Sequence, residues 1–198
     1  MAAAARAPST TRFAGGAPPR ASLGRIEDMA PADLKALIRT VPDFPKPGIL
    51  FRDITTLIGN GPGLAAATRM LAEQAKAAGA QAIAGIEARG FVFGAAVAVQ
   101  LGLGFVPVRK PGKLPVPVLA LDYVLEYGTD TLEIDPTAIS TGQRVVLIDD
   151  LIATGGTALA AAQLLRQAGA AVDHALFVID LPELGGAEKL RAAGVAAE

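Results

Sequence analysis

Apolar and polar positions alternate along the chain in the order typical of an α/β protein. Short apolar runs bounded by glycine, proline or polar residues predict strands at 82–86, 105–108, 144–148 and 174–179. Longer segments with apolar residues every three to four positions predict helices at 62–78, 90–100 and 156–168. Because strands alternate with helices, the sequence predicts an α/β fold with a mostly parallel central sheet flanked by helices.

Three further segments complete the patterned part of the chain. Residues 31–41 begin with a proline and carry apolar residues at helical spacing, which predicts a helix. Residues 42–55 contain three prolines and predict a stiff loop that ends in a short strand. Residues 109–135 predict a loop followed by a hairpin with its turn at 127–130.

The first 28 residues differ in composition from the rest. They consist largely of alanine, proline and glycine with four arginines, and Glu27 is their first acid. Such a composition cannot bury a core, so residues 1–28 are predicted to be a disordered extension without a function of its own. Residues 29–198 then form the single domain.

Composition and charge narrow the function further. Lys and Arg number 18 and Asp and Glu 19, and this balance argues against a nucleic-acid partner. There is no cysteine, and His174, the single histidine, is predicted to be structural. Residues 90–108 carry no charge, but Gly102, Gly104 and Pro107 interrupt them, which argues against a membrane span. A chain with these features and no signal sequence is expected in the cytoplasm.

The run 145–158, VVLIDDLIATGGTA, carries the chemistry. In parallel sheets, ligands bind beyond the carboxyl ends of the strands. The small residues 153–157 allow backbone N–H groups to surround one phosphate at a helix N-terminus. The preceding Asp149 and Asp150 would repel that phosphate but suit the two hydroxyls of a ribose. Taken alone, the two aspartates also fit a helix cap with a solvated acid, and the small-residue loop also fits a plain turn. Because the two features follow one another directly after an apolar strand, together they favour a sugar-phosphate site.

Two common phosphate motifs are missing from this run. A nucleoside-triphosphate loop, G-x-x-x-x-G-K-[ST], requires a lysine, and none is present here. The dinucleotide fingerprint G-x-G-x-x-G is also missing. A ribose 5-phosphate moiety therefore fits the run better than a triphosphate or a dinucleotide.

Residues 145–157 resemble the signature of the type I phosphoribosyltransferases, which use phosphoribosyl pyrophosphate. Four further segments resemble the members of that family that act on adenine, and the likeness extends over about residues 31–185. These segments are 41–57, 85–94, 106–115 and 125–134. The resemblance implies the type I phosphoribosyltransferase fold, with a small hood and a mobile hairpin loop beside the sheet.

The resemblance also implies a role for individual residues. Asp149 and Asp150 would hold the ribose hydroxyls. The 5′-phosphate ligands would be Ala153, Thr154, Gly155, Gly156 and Thr157. The pyrophosphate ligands would be Glu87, Ala88, Arg89, Arg109, Lys110 and Lys113. The first three of these form a loop that, in the family, often contains a cis peptide that does not precede proline. An arginine at this strand end can also grip phosphate oxygens in a bidentate way.

The base and the chemical step depend on three other residues. Phe51 and Arg52 lie where the hood of the family begins, and Phe51 would stack on the purine unless it is simply a core residue. Glu126 resembles the glutamate to which the family assigns catalysis, and Arg89 would act beside it. Glu126 would serve either as a base near purine N7 or N9 or as an electrostatic partner of the cationic sugar.

The resemblance implies an enzyme that forms AMP and pyrophosphate from adenine and phosphoribosyl pyrophosphate. Mg²⁺ would be the cofactor, held mainly by the substrate rather than by protein ligands. A homodimer is also implied. Two alternatives stay open: a phosphoribosyltransferase for another base such as xanthine or guanine, and a non-catalytic regulator that senses phosphoribosyl pyrophosphate.

Overall fold

Helices and strands alternate through most of the protein. The computed structural model describes residues 29–124 and 128–198. In chain order, its elements are α1 (Pro31–Ala36), β1 (Arg39–Pro42), β2 (Leu50–Asp53), α2 (Thr55–Ile58), α3 (Gly61–Ala77), β3 (Ala82–Ile86), α4 (Arg89–Leu101), β4 (Gly104–Val108), β5 (Leu119–Val124), β6 (Thr129–Ile134), β7 (Val145–Ile152), α5 (Gly156–Gln167), β8 (His174–Asp180), α6 (Gly186–Ala192) and β9 (Ala196–Ala197). Short 3₁₀ turns cover Pro136–Ala138 and Pro182–Leu184.

Five parallel strands form the central sheet in the order β4-β3-β7-β8-β9. A parallel sheet is covered on both faces, which explains why all five residues of β3 are apolar or glycine and buried. Ile83, Val146 and Ile148 pack with α3 and α4 on one face. Ala84 and Leu147 pack with α5 on the other. The predicted fold class is therefore confirmed, and its strands 82–86, 105–108 and 174–179 match β3, β4 and β8 to within one residue.

Strand β7 is longer than predicted. The sequence predicted a strand over 144–148, whereas β7 extends to Ile152 and includes both Asp149 and Asp150. The reason is its neighbour, because Leu151 and Ile152 pair with Ile179 and Asp180 of β8. The two acids therefore lie within the hydrogen-bonded strand, and the loop toward α5 begins only at residue 153.

The hood, residues 31–58, consists of α1, the antiparallel pair β1–β2 and α2. The predicted helix over 31–41 is too long: α1 ends at Ala36, and residues 39–42 form β1 instead. Pairing of Arg39 with Asp53 and of Val41 with Phe51 overrides the helical spacing of the apolar residues.

A nearly buried carboxylate fastens the hood. Asp53 accepts hydrogen bonds from Thr55 Oγ1 (2.6 Å), Thr55 N (3.0 Å) and Arg39 Nε (3.0 Å). The Thr55 hydroxyl and then the Arg39 guanidinium lower the pKa of Asp53 to about 2. The ionised carboxylate therefore ties β1, β2 and the start of α2 together.

We expect Asp53→Asn to lower the free energy of unfolding by about 2 kcal/mol at pH 7. Since the pKa of Asp53 is depressed on folding, this stability is present above the unfolded pKa and is lost as pH falls from about 4 to about 2. Chemical denaturation at pH 7 and pH 2.5 measures it, with the exposed Asp173→Asn as control. A pH-independent difference between Asp53→Asn and the parent protein would contradict the role of the charge.

The predicted hairpin is present as β5 and β6, which pair antiparallel from Leu119 with Ile134 to Val124 with Thr129. Tyr123 faces Asp130 directly in this register. The buried Leu132 and Ile134 of β6 join the core on the α5 side of the sheet. The hairpin is thus packed onto the domain up to its last described pair.

The remaining points concern a membrane span, the C-terminal elements and the first 28 residues. No helix among residues 29–124 and 128–198 is long and apolar enough to cross a membrane. The C-terminal helix α6 and strand β9 were not predicted as regular elements. The disorder expected for residues 1–28 concerns residues outside the described ranges and stays a prediction.

Candidate active site

A cleft of about 300 Å³ lies at the carboxyl ends of β3 and β7, where parallel sheets bind ligands. It brings together eleven of the sequence-predicted site residues: Glu87, Ala88, Arg89, Lys110, Asp149, Asp150, Ala153, Thr154, Gly155, Gly156 and Thr157. Ile86, Leu151, Ile152 and Ala158 complete the lining. Residues far apart in the sequence thus meet in one small, polar space.

The phosphate loop, residues 153–157, forms one wall of the cleft. Gly155 has φ +73°, which favours glycine, and it precedes the first residue of α5. Among the described residues no side chain caps this helix, so its first N–H groups are free to meet a ligand. Free amides and the positive end of a twelve-residue helix make this wall suitable for an anion.

The phosphate loop rests on the start of α6. A Cβ atom at Gly186 would lie 2.3 Å from the carbonyl oxygen of Ala153 and 2.8 Å from the amide nitrogen of Gly155. A Cβ atom at Gly155 would in turn lie 2.8 Å from the Gly186 carbonyl oxygen. The two backbones therefore touch, and this contact depends on glycine at both positions.

The acidic pair lies within β7 and lines the same cleft, where it forms the ribose wall. Asp149 Oδ1 accepts the Asp150 N–H at 2.9 Å, and a Cβ atom at Gly90 would lie 2.8 Å from the same Oδ1. Gly90 therefore allows α4 to approach the end of β7. Asp150, only 3% exposed, forms an ion pair with Arg89 Nε at 3.0 Å. Arg89 is half exposed and faces the cleft.

Burial and the neighbouring Asp150 carboxylate raise the pKa of Asp149 to about 8. The Arg89 guanidinium opposes this effect without cancelling it. The two adjacent acids, with Arg89 paired to Asp150, provide several oxygen atoms that can accept hydrogen bonds on this wall.

Glu87 and Ala88 form the turn between β3 and α4. The peptide bond between them is cis, as the resemblance implies. Glu87 accepts hydrogen bonds from Arg109 Nε and Lys110 N, both at 3.0 Å. The Arg109 guanidinium, followed by the Lys110 amide, lowers the pKa of Glu87. Glu87 is therefore an anchor for the basic segment after β4.

The three basic residues of this segment, Arg109, Lys110 and Lys113, differ in whether they line the cleft. Lys110 lines the cleft. Arg109 is engaged by Glu87, lies 5.7 Å from the centre of the Phe91 ring and donates to the backbone oxygen of Lys113. Arg109 and Lys113 are not among the residues that line the cleft, so their contact with a ligand stays a prediction.

Phe51 and Arg52 lie on β2 of the hood, apart from the cleft lining. Phe51 packs edge-on against Phe44 with 5.1 Å between ring centres, and Arg52 Nη1 donates to Thr40 Oγ1 at 2.6 Å. Arg52 borders a larger cavity of about 710 Å³ between the hood, α3 and the segment at and just after the end of β8, which includes Leu181. This cavity offers room for a planar base.

Glu126 lies outside the described residues, so the structure does not test its predicted role. His174 is the first residue of β8, so it lies at the amino-terminal end of the strand, whereas the cleft lies at the carboxyl ends of β3 and β7. Among residues 29–124 and 128–198, no group of three or more acidic or histidine side chains is arranged to hold a metal ion.

Sequence reasoning missed Tyr123, Asp130, Gly90 and Gly186. The hairpin pair Tyr123 and Asp130 meets Lys110 and Thr157 at the edge of the cleft. Finding that pair needs the correct strand register, which a turn predicted at 127–130 does not give. The two glycines carry no signal until the neighbouring backbone is placed.

Comparison with known proteins identifies the sequence family to which these features correspond. Residues 55–189 match the phosphoribosyl transferase domain family. The chain is 73% identical to the adenine phosphoribosyltransferase of Novosphingobium aromaticivorans over 170 residues, 86% of this chain and 96% of the relative. It is 71% identical to the enzyme of the same name from Erythrobacter litoralis over 167 residues, 84% of this chain and 94% of the relative.

Solved structures agree with this likeness. The adenine phosphoribosyltransferase of Thermoanaerobacter pseudethanolicus superposes with a TM-score of 0.81 at 47% identity, covering 85% of this chain and 97% of that one. The enzyme from Saccharomyces cerevisiae, complexed with an imino-altritol bisphosphate and adenine, superposes with a TM-score of 0.80 at 38% identity, covering 85% and 96%.

Proposed function

The chain belongs to the phosphoribosyl transferase domain family, and on this premise we propose that it forms AMP and pyrophosphate from adenine and phosphoribosyl pyrophosphate. The observation that carries the proposal is the cleft, which is lined by both an uncapped helix N-terminus and two adjacent carboxylates. The choice of adenine is supported by relatives of that name at 71% and 73% identity.

The 5′-phosphate of the sugar binds at the phosphate loop. The amides of Gly155, Gly156 and Thr157 donate to its oxygens, and the hydroxyl of Thr154 adds a donor. The residue before α5 is a glycine and leaves these amides uncovered. Ala153 brings the chain from β7 into the loop without occupying the space of the phosphate.

The ribose lies over the acidic pair. Asp149 and Asp150 accept hydrogen bonds from its 2′- and 3′-hydroxyls, which fixes the ring relative to the phosphate loop. Asp150 forms an ion pair with Arg89, and this ion pair connects the ribose wall with the diphosphate wall. A carboxylate this close also stabilises positive charge that develops on the sugar during the reaction.

The diphosphate lies against the turn 87–89 and the basic segment. Arg89 and Lys110 are the cations that line the cleft, and the backbone at Glu87 and Ala88 faces the same space. Arg109 and Lys113 contribute from outside the lining. The carboxylates of Asp149 and Asp150 are oxygen donors of the type that suits hydrated Mg²⁺. Bound with the substrate, Mg²⁺ supplies neutralisation of the leaving diphosphate.

In the reaction, purine N9 forms a bond to the anomeric carbon while the bond from that carbon to the diphosphate oxygen breaks. The proton on N9 is released and pyrophosphate leaves. Arg89 and Lys110 stabilise the negative charge that accumulates on the leaving oxygens. Glu126 assists the step beside the base, and Phe51 and Arg52 of the hood hold the purine.

A base-transfer assay tests the proposal. Purified protein with Mg²⁺ and phosphoribosyl pyrophosphate is given adenine, hypoxanthine, guanine or xanthine, and pyrophosphate release is followed. We expect turnover with adenine at least tenfold faster than with the other bases, and loss of turnover after chelation of Mg²⁺. Faster turnover with another base would overturn the choice of adenine. No turnover with any base, in a protein that binds phosphoribosyl pyrophosphate, would support a sensor instead.

The assembly and the location of the protein follow from the same membership. We propose a homodimer, which light scattering on the purified chain tests, and a cytoplasmic enzyme. Exposed apolar side chains on α4, Val92 and Val99, are consistent with a surface that another copy covers.

A further inference from the structure

A hydrogen-bonded network at the root of the hairpin surrounds the ammonium group of Lys110. Lys110 Nζ donates to Asp130 Oδ2 at 2.5 Å and to Tyr123 OH at 3.0 Å. The Tyr123 hydroxyl in turn donates to Asp130 Oδ2 at 3.2 Å and accepts from Thr157 Oγ1 at 3.4 Å. The network therefore connects the basic segment, the hairpin and the phosphate loop.

The sheet register places the two hairpin residues of this network together. Tyr123 and Asp130 are directly opposite each other in the β5–β6 pair, so their side chains share one face of the hairpin. The Tyr123 ring is buried in the core, and Lys110 Nζ lies 5.6 Å from its centre. Asp130 is held from its other oxygen, because Oδ1 accepts the Thr131 N–H at 2.8 Å.

A count of donors shows what is left for a ligand. An ammonium group has three N–H donors, and Lys110 uses one on Asp130 and one on Tyr123. The third has no partner in the part of the chain that the structure describes. Lys110 lines the cleft, whereas Tyr123 and Asp130 do not. The carboxylate and the phenol therefore contact the ammonium group without lining the cleft themselves.

We propose that Asp130 and Tyr123 are positioning residues that hold the Lys110 ammonium at the cleft for the diphosphate of the substrate. Lys110 keeps both bonds when the ligand binds, and its third N–H reaches a phosphate oxygen. A lysine on a flexible four-carbon stem would otherwise lose several rotamers on binding, and the network removes most of that entropic cost in advance. Tyr123 also aligns Thr157, so the 5′-phosphate and diphosphate walls are held at a fixed spacing.

The charges on these groups agree with the geometry. Burial opposes the charge on Lys110, but the bonds to Asp130 and Tyr123 outweigh it and raise the pKa of the ammonium. The Lys110 ammonium, together with the Thr131 amide, lowers the pKa of Asp130. Both groups are therefore charged at neutral pH, and the arrangement does not depend on a proton.

The test compares Asp130→Asn with Asp122→Asn in the full-length protein. Asp122 is the matched control, because it lies on the same hairpin and bonds Thr131 Oγ1 at 2.7 Å, without contact to Lys110. We expect Asp130→Asn to raise the Kd for Mg²⁺-pyrophosphate, measured by calorimetry, and the KM for phosphoribosyl pyrophosphate by about five- to tenfold. The KM for adenine and the melting temperature should match those of Asp122→Asn. Tyr123→Phe keeps the ring and should act in the same direction, by about threefold.

A double-mutant cycle shows whether Asp130 acts through Lys110. In a Lys110→Met background, we expect Asp130→Asn to change pyrophosphate affinity by less than twofold. Equal affinity in Asp130→Asn and Asp122→Asn would overturn the inference. Tighter binding by Asp130→Asn would also overturn it, since Asp130 would then compete with the diphosphate for Lys110.

This inference rests on the proposed function, but the two fail differently. A parent protein that binds pyrophosphate and yet consumes no phosphoribosyl pyrophosphate with any base contradicts the proposed function alone. Full activity with adenine, combined with an effect of Asp130→Asn on the KM for adenine instead of phosphoribosyl pyrophosphate, contradicts the positioning role alone.

Discussion

Replacing Asp149 by asparagine is expected to stabilise the free protein while disabling its reaction. Asparagine keeps the size of the side chain and the Oδ1 acceptor that receives the Asp150 N–H. It removes a carboxylate that is crowded by Gly90 and lies next to Asp150. We expect an increase of at least about 2 kcal/mol in the free energy of unfolding at pH 8, measured by chemical denaturation.

The sign of the change in stability follows from the direction in which folding shifts the pKa of Asp149. Burial and Asp150 raise the folded pKa of Asp149 to about 8, above its value in the unfolded chain. Between pH 4 and pH 8 the unfolded chain therefore releases a proton that the folded protein retains, and stability falls as pH rises. The advantage of Asp149→Asn should accordingly be small at pH 5 and grow toward pH 8. The exposed Asp173→Asn is the control at each pH.

The same substitution removes from the ribose wall a carboxyl group that ionises only as pH approaches its pKa of about 8, so its effect on activity is measured at pH 8. A hydrogen bond to a charged group contributes about 1.5–3 kcal/mol, so kcat/KM for phosphoribosyl pyrophosphate should fall roughly 10- to 100-fold. A stabilised and inactive variant would show that the acidic pair is kept for the ligand at the expense of the free protein. A variant that is destabilised at pH 8, or fully active, would contradict this account of Asp149.

The fold and one wall of the site could be read from the sequence for a physical reason. Strands buried on both faces are apolar runs, and helices of a parallel sheet alternate with them, so β3, β4 and β8 were placed correctly. The carboxyl ends of such strands share an edge, which brings the turn after β3 and the end of β7 together without knowledge of any contact.

Other parts depend on pairing that no local pattern encodes. Val41 fits a helical spacing with Leu37 and Ile38, yet it lies in a strand because β2 pairs with it. The two acids after Ile148 suggest that the strand ends there, but β7 continues for four more residues, to Ile152, because it remains paired with β8. Asp130 falls in the predicted turn 127–130, whereas the strand register places it opposite Tyr123 and within hydrogen-bond distance of Lys110.

Gly186→Ala is expected to damage the site from outside it. The added Cβ atom would lie 2.3 Å from the Ala153 carbonyl oxygen and 2.8 Å from both Gly155 N and Ile152 Cγ1. Two of these atoms are backbone, so α6 and the phosphate loop must move apart. Overpacking of this kind costs about 1–3 kcal/mol of stability. A shift of about 1 Å in a substrate-positioning group costs on the order of 100-fold in rate, so we expect a loss of that order in kcat/KM for phosphoribosyl pyrophosphate.

Gly61→Ala is the matched control for Gly186→Ala. A Cβ atom at Gly61, the first residue of α3, would meet no atom within 4 Å, so this variant should keep both stability and activity. Thermal denaturation and steady-state kinetics with each substrate varied in turn separate the two effects of Gly186→Ala. If it lowered the melting temperature but left kcat/KM for phosphoribosyl pyrophosphate unchanged, α6 would support the domain without positioning the phosphate loop. If kcat/KM falls for phosphoribosyl pyrophosphate while the KM for adenine is preserved, α6 supports the 5′-phosphate site. The hood, which is proposed to bind adenine, lies on separate elements and should not be affected.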